Sequence, residues 1–227
     1  MNKKKIFGLI IIIIGIIFIF ITPIMKFFIN NKVDNTLNDF EELKVEEIEN
    51  NNEEKADFDF ENISEISPSK VLLNPGEINK NLIVGQIVIP SLDLNLTIFK
   101  GLSENELFAG VGTMKNNQIM GKGNYAIAGH YAENNTLFGD LTSIKIGDIV
   151  KITDKNNIYE YEIYDTKVVD PNQIDLIEDT ESEKRGNPII SLMNCYYEGK
   201  KFTGNRFFAF GDLVSVKEYR EEEMIRK

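Results

Sequence analysis

The chain has 227 residues, a formal net charge of −11, one Cys, one His and no Trp. That length suits a single folded domain with additional segments better than two full domains. The acidic balance excludes an ordinary nucleic-acid binder, which needs clustered Lys and Arg to displace counterions from phosphates, so no nucleic-acid partner is expected. With one cysteine, an intramolecular disulfide is excluded as well.

In chain order, residues 1–5 form a basic cytoplasmic N-terminus with Lys3, Lys4 and Lys5. The stretch from Ile6 to Met25, IFGLIIIIIGIIFIFITPIM, carries no charge. As a helix it covers roughly the 30 Å hydrocarbon core of a bilayer. A transmembrane signal anchor is therefore expected over residues 6–28, with the N-terminus inside and the remainder outside the cell membrane by the positive-inside bias. A cleavable signal peptide fits less well, because Thr22-Pro23-Ile24-Met25-Lys26 offers no small-residue cleavage pattern. Residues 29–80 are rich in Asn, Glu, Asp and Lys and read as an acidic tether, partly helical or disordered, that lets the following domain stand off the membrane. Within it, Val33, Leu37 and Phe40 recur at helical spacing.

From residue 81 the texture changes. LIVGQIVIP, LNLTIFK, NYAIAGH, DIVKITD, IYEYEIYDTKVV, NPIISLMNC and NRFFAFGDLVSV are β-branched and aromatic runs bounded by Gly, Pro, Asn and Asp, which predicts strands. Helical pattern is confined to short pieces near Ser103–Phe108 and Thr136–Ile144. Seven or eight closely spaced strands in residues 81–218 predict a mainly β domain, a closed or nearly closed barrel with short helices. Residues 219–227 form a charged tail.

A lone Cys is most often a small buried hydrophobe, but on the outer face of a membrane an unbridged thiol is either hidden or reactive. Cys195 closes a predicted strand where scaffold gives way to loop. His130 ends another strand in the same manner, and as the only imidazole it is the only histidine able to serve the thiol as acid or base. Arg206, between Asn205 and Phe207-Phe208, supplies a permanent cation suited to an oxyanion or a peptide carbonyl. The structural alternatives are a buried Cys, a solvated His and a surface Arg.

The trio His130, Cys195 and Arg206, set in AIAGH, LFGDLTSIKIGD and SLMNC...NRFFAFGDLV, resembles the sortases, cysteine transpeptidases that fix proteins to the cell wall of Gram-positive bacteria. The resemblance covers roughly residues 82–217. It implies an eight-stranded sortase barrel, with Cys195 as nucleophile, His130 as general acid and Arg206 as oxyanion and substrate-orienting group. The reactive thiolate–imidazolium form would be a minor species, given reference pKa values of about 8.5 and about 6.5. The implied substrates are LPXTG-like surface proteins, cleaved between Thr and Gly, and the implied acceptor is an amine of a lipid-linked peptidoglycan precursor. By motif alignment Ile174, Leu176 and Ile177 would wall the substrate groove, with Ala128, Met193 and Phe208 beneath.

The anchor at the N-terminus and the absence of a second apolar span resemble class A, the housekeeping type; a class D-like or class B-like enzyme, or a non-catalytic tethered adhesion or scaffold domain, are the alternatives. ADFDF at 56–60 carries the Asp-aromatic element of the lid of pilus-building members without its Pro, and is read as an accidental match. The family's Thr-Leu-X-Thr-Cys stands here as Ser191-Leu192-Met193-Asn194-Cys195, and the resemblance places Asn194 at the oxyanion site and in contact with substrate. No cofactor and no metal are expected. In the loop that supplies calcium ligands in some class A members, Gly110–Asn124 has no Asp or Glu and two Lys, whereas Glu178, Asp179, Glu181 and Glu183 lie in the second loop.

Overall fold

The computed structural model describes residues 3–60, 63, 76–132, 136–199 and 201–224. Among these described residues there are ten strands, β1 (Ile83–Ile89), β2 (Leu94–Phe99), β3 (Gly110–Thr113), β4 (Asn124–Ala128), β5 (Tyr131–Ala132), β6 (Thr136–Leu137), β7 (Ile149–Thr153), β8 (Asn157–Val169), β9 (Ile189–Glu198) and β10 (Lys201–Glu218). Eight of them close into a barrel in the order β1-β2-β3-β4-β9-β10-β8-β7, and β5 and β6 form a separate hairpin. The pairs β2–β3 and β4–β9 are parallel; the other barrel pairs are antiparallel. The mainly β, eight-stranded barrel expected from the sequence is the observed fold.

Strand period decides what fills it. Ile127, Leu192, Phe207 and Ala209 point inward to one large cluster with Ile87, Val111 and Tyr161, while their neighbours Ala126, Ala128, Met193, Phe208 and Phe210 form a second cluster on the outer face. The sequence reading of Ser103–Phe108 corresponds to a helix over Glu104–Leu107. Thr136–Ile144 differs from its helical expectation: it begins as β6 and becomes a single 3-10 turn at Leu141–Ser143, because Leu137 adopts a left-handed backbone.

Among the described residues before the barrel are two α-helices, α1 (Lys3–Glu42) and α2 (Val45–Asn51). Among the described residues no helix is long and apolar enough to cross a membrane; the side chains of Leu9, Ile14 and residues 16–19 are outside that description. Within the expected acidic tether, residues 29–42 are helical and pack on the barrel rather than standing off it. Ile29, Val33, Phe40 and Ile48 are buried on the barrel, Phe40 and Ile48 against Leu82, Ile83 and Phe99. The spacing of Ile29, Val33, Leu37 and Phe40 gives the end of α1 one apolar stripe, and each fully buried side chain contributes about 1.5–3 kcal/mol. Polar groups fix the register of this docking. Thr36 Oγ1 donates to Ala109 O at 3.0 Å, Asn51 Nδ2 donates to Ile83 O at 2.8 Å, and Lys155 Nζ caps the end of α1 by donating to Glu41 O and Leu43 O. Of the remaining tether, residues 61, 62 and 64–75 lie outside the described residues. In the charged tail, Met224 is buried with Val88 and Ile158.

Candidate active site

Of the three candidate catalytic residues, Cys195 and Arg206 lie on the adjacent strands β9 and β10, and His130 follows the end of β4 by two residues. Arg206 and Cys195 are directly opposite in the antiparallel β9–β10 register. On the other side, β4 runs parallel to β9 with Ala128 opposite Met193, and Gly129 N donates to Met193 O at 3.0 Å. Two residues further along this register His130 comes level with Cys195. The fold thus sets histidine, cysteine and arginine side by side across one end of the sheet. His130 is buried and its imidazole stacks on Phe108, centroids 5.2 Å apart. Tyr131 and Tyr197 stack beside them at 4.0 Å.

Cys195 belongs to the outer-face cluster with Ala128, Met193, Phe208 and Ile177, and Leu176 packs against it. These expected groove residues are therefore together, in contact with the candidate nucleophile's own face; the side chain of Ile174 lies outside the described residues. Asn194 is not with them. Period 2 turns it to the opposite face from Cys195, where it is fully buried and its Nδ2 donates to Phe138 O at 2.7 Å. The expectation of an oxyanion-site and substrate-contacting amide is corrected accordingly, and the parity of position 194 relative to 195 was already a signal against it.

The groove has an occupant from the chain itself. Ile63, 1% exposed, packs in the same cluster, with Phe60 against it. The Ile63 carbonyl accepts from Cys195 Sγ at 3.5 Å and from Arg206 Nη2 at 3.3 Å. Arg206 Nη1 also donates to Gly204 O at 3.1 Å. The cavity left between Phe60, Met114, Met193, Arg206 and Phe208 is only about 30 Å³, and Cys195 is 0% exposed. Upstream, Leu102 N donates to Asp57 O at 2.6 Å; Gly101, at φ +82°, permits this approach, since a Cβ there would collide with that carbonyl. The 56–60 stretch, read from sequence as an accidental match, thus crosses the site. A larger cavity of about 760 Å³, beside Lys100, Glu53 and Gln118, lies away from the trio.

The groove wall is tied to the barrel by residues that sequence reasoning passed over. Asn124 Nδ2 donates to Leu176 O and Glu178 O at 3.0 and 3.2 Å, and its Oδ1 accepts from Ser191 Oγ at 2.8 Å. Lys115 Nζ meets Asp179 Oδ1 at 2.6 Å, and the same oxygen accepts from Asn124 N. The Lys115 ammonium, helped by that backbone N–H, holds the Asp179 carboxyl below the usual carboxylate range. Among the described residues no group of three or more His, Cys, Asp or Glu is placed to hold a metal.

A closed barrel with Cys195 and Arg206 paired across β9 and β10, and His130 just beyond the neighbouring β4, has the groups that cysteine-dependent acyl transfer requires. The family model for the Sortase domain matches residues 87–214, more than half of the chain. Sortase A of Listeria monocytogenes is 36% identical over 223 residues, covering 96% of this chain and 95% of that protein. Sortase A of Streptococcus agalactiae is 33% identical over 210 residues, 86% and 83% respectively. The crystal structure of the Listeria monocytogenes sortase A superposes with a TM-score of 0.56 at 37% identity, over 62% of this chain and 93% of that one. The chain belongs to the sortase family. It is accordingly a cysteine transpeptidase, similar to class A members, with the family's general role in cell-wall anchoring.

Proposed function

We propose that this chain is a membrane-anchored transpeptidase that cleaves LPXTG-like sorting signals between Thr and Gly and joins the Thr carbonyl to a peptidoglycan-precursor amine. The observation that carries the reading is the grip on Ile63: a peptide carbonyl lies between Cys195 Sγ and the Arg206 guanidinium, its apolar side chain in the groove. A substrate Thr carbonyl in that position presents its carbon to the Cys195 thiolate. Attack forms the C–S bond and places negative charge on the oxygen, where Arg206 stabilises it. His130, as imidazolium, gives its proton to the Gly nitrogen as the C–N bond breaks, leaving a thioester on Cys195. The acceptor amine then attacks the thioester carbon, the C–S bond breaks, and the amine's proton returns to His130. The apolar Leu-Pro portion lies along Ile177, Ala128, Met193 and Phe208, with Leu176 on the wall.

The anchor is read from the uncharged 6–25 sequence and supported by the exposed apolar side chains along α1. Phe7, Ile10, Ile11, Ile12, Ile13 and Phe20 are all exposed, a surface suited to lipid rather than water. A substrate halted at the outer leaflet and a lipid-linked acceptor would be concentrated there with the enzyme.

The test is a panel of fluorogenic peptides differing only in the sorting motif, together with a peptide vinyl sulfone. LPXTG-type turnover and labelling at Cys195 that requires His130 support the reading. Turnover confined to a different motif would replace the substrate with that of a specialised class.

A further inference from the structure

We propose that Asn194 is a positioning residue for His130, acting through the backbone of Phe138; this rests on the role proposed for His130. Asn194 Nδ2 donates to Phe138 O at 2.7 Å, and Phe138 N donates to His130 O at 3.1 Å. One amide side chain on β9 therefore clamps the β5–β6 hairpin that follows His130, and the clamp returns to the histidine's own peptide unit. The ring of Phe138 closes the same circuit, because it lies where a Cβ on Gly129, the residue before His130, would be. Leu137, immediately before the clamped residue, holds φ at +52°. A side chain with a Cβ rarely adopts that conformation unless its surroundings impose it, and the Asn194 bond is placed to do so. The geometry also argues against Asn194 as mere filling. Its residue is fully buried, and its Oδ1 has no hydrogen-bond partner among the described residues. An apolar side chain would occupy the place without burying an unsatisfied oxygen, so what the amide adds is its donor.

Displacing a proton donor by about 1 Å can cost about 100-fold in rate. The test uses the full chain in detergent with Asn194→Leu, nearly isosteric and without a donor, and Asn194→Thr, which retains one. Asn194→Leu is expected to lower kcat at least ten-fold with KM changed less than two-fold, and Asn194→Thr to recover part of the loss. The single histidine gives a direct readout: its imidazole NMR signals should be sharp and single in the wild type and shifted or broadened in Asn194→Leu. Should Asn194→Leu not fold, the Asn194→Thr signals and its kcat-against-KM split carry the same test. Wild-type kcat with an unshifted imidazole in the donor-free variant overturns the proposal, as does a general loss of stability in which Thr gives no recovery and the imidazole signals do not move. Activity retained in His130→Ala would instead overturn the role assigned to His130 itself.

Discussion

Ile63 must leave before Cys195 can meet any substrate, and this sets a measurable cost. The thiol is fully buried, and the carbonyl it would attack in a substrate is replaced by that of Ile63. Trimming Ile63 to Ala removes three buried carbon groups at about 0.8 kcal/mol each, which weakens the occupied state by about 2 kcal/mol, or roughly 30-fold in the ratio of occupied to open enzyme. Because an enzyme that is open only part of the time binds substrate in proportion to the open fraction, kcat/KM for a sorting peptide should rise toward that factor. The rate of Cys195 alkylation by a small reagent should rise with it, while the melting temperature of the barrel stays unchanged. The assay is a fluorogenic peptide progress curve paired with mass-spectrometric alkylation kinetics on the full chain in detergent. Values within two-fold of wild type in both measurements would refute the reasoning and show that the segment already exchanges freely.

Other consequences are more direct. Cys195→Ala should abolish cleavage and transfer while leaving the thermal transition within about 2 °C, since one sulfur among the outer-face contacts contributes little to folding. Turnover should be equal within error in chelator and in millimolar calcium, because the Lys115 ammonium lies on Asp179; several-fold activation by calcium would overturn this. That pair has a definite pH sign: with the Asp179 value depressed, its stabilising contribution is present above the ordinary carboxylate pKa of about 3.9 and is lost as pH falls through the depressed value. Lys115→Met should remove that loss from an acid-unfolding curve and raise KM through a looser groove wall; the contribution is small because the carboxylate is half exposed. Phe40→Ala should destabilise by about 3 kcal/mol, read as a lower urea midpoint; an unchanged midpoint would separate α1 from the folding unit.

Much of the barrel was legible because its strands alternate or run apolar between turn residues, and the candidate site was easy to nominate because the chain offers one Cys and one His. Three features were not. The inward direction of Asn194 follows from strand parity, but a family motif that places the residue beside the nucleophile draws attention away from that count. The occupation of the groove by Ile63 depends on a contact 132 residues distant in sequence, which no local pattern encodes. Lys115 and Asn124 serve the site only because β4 returns beside β9, and on their own they read as a surface charge and a strand-edge amide.

The docking of α1 changes how the anchor and the barrel relate. A flexible tether would let the catalytic face sample a wide range of heights and orientations. In the structure, however, Ile29 and Val33 are already in the barrel's core cluster, only a turn or two beyond the uncharged stretch that ends at Met25. Thr36, Phe40 and the Lys155 cap continue the attachment to the end of the helix. A helix transmits orientation because bending it breaks backbone hydrogen bonds; Pro23 within α1 removes one of these and is the position at which a bend costs least. If the uncharged stretch lies in a bilayer, the barrel is therefore held close to its surface with one face presented. Beyond α2 the chain meets the barrel again at Phe60 and Ile63, so the helix that sets the barrel's orientation and the residues that cover Cys195 belong to the same N-terminal stretch.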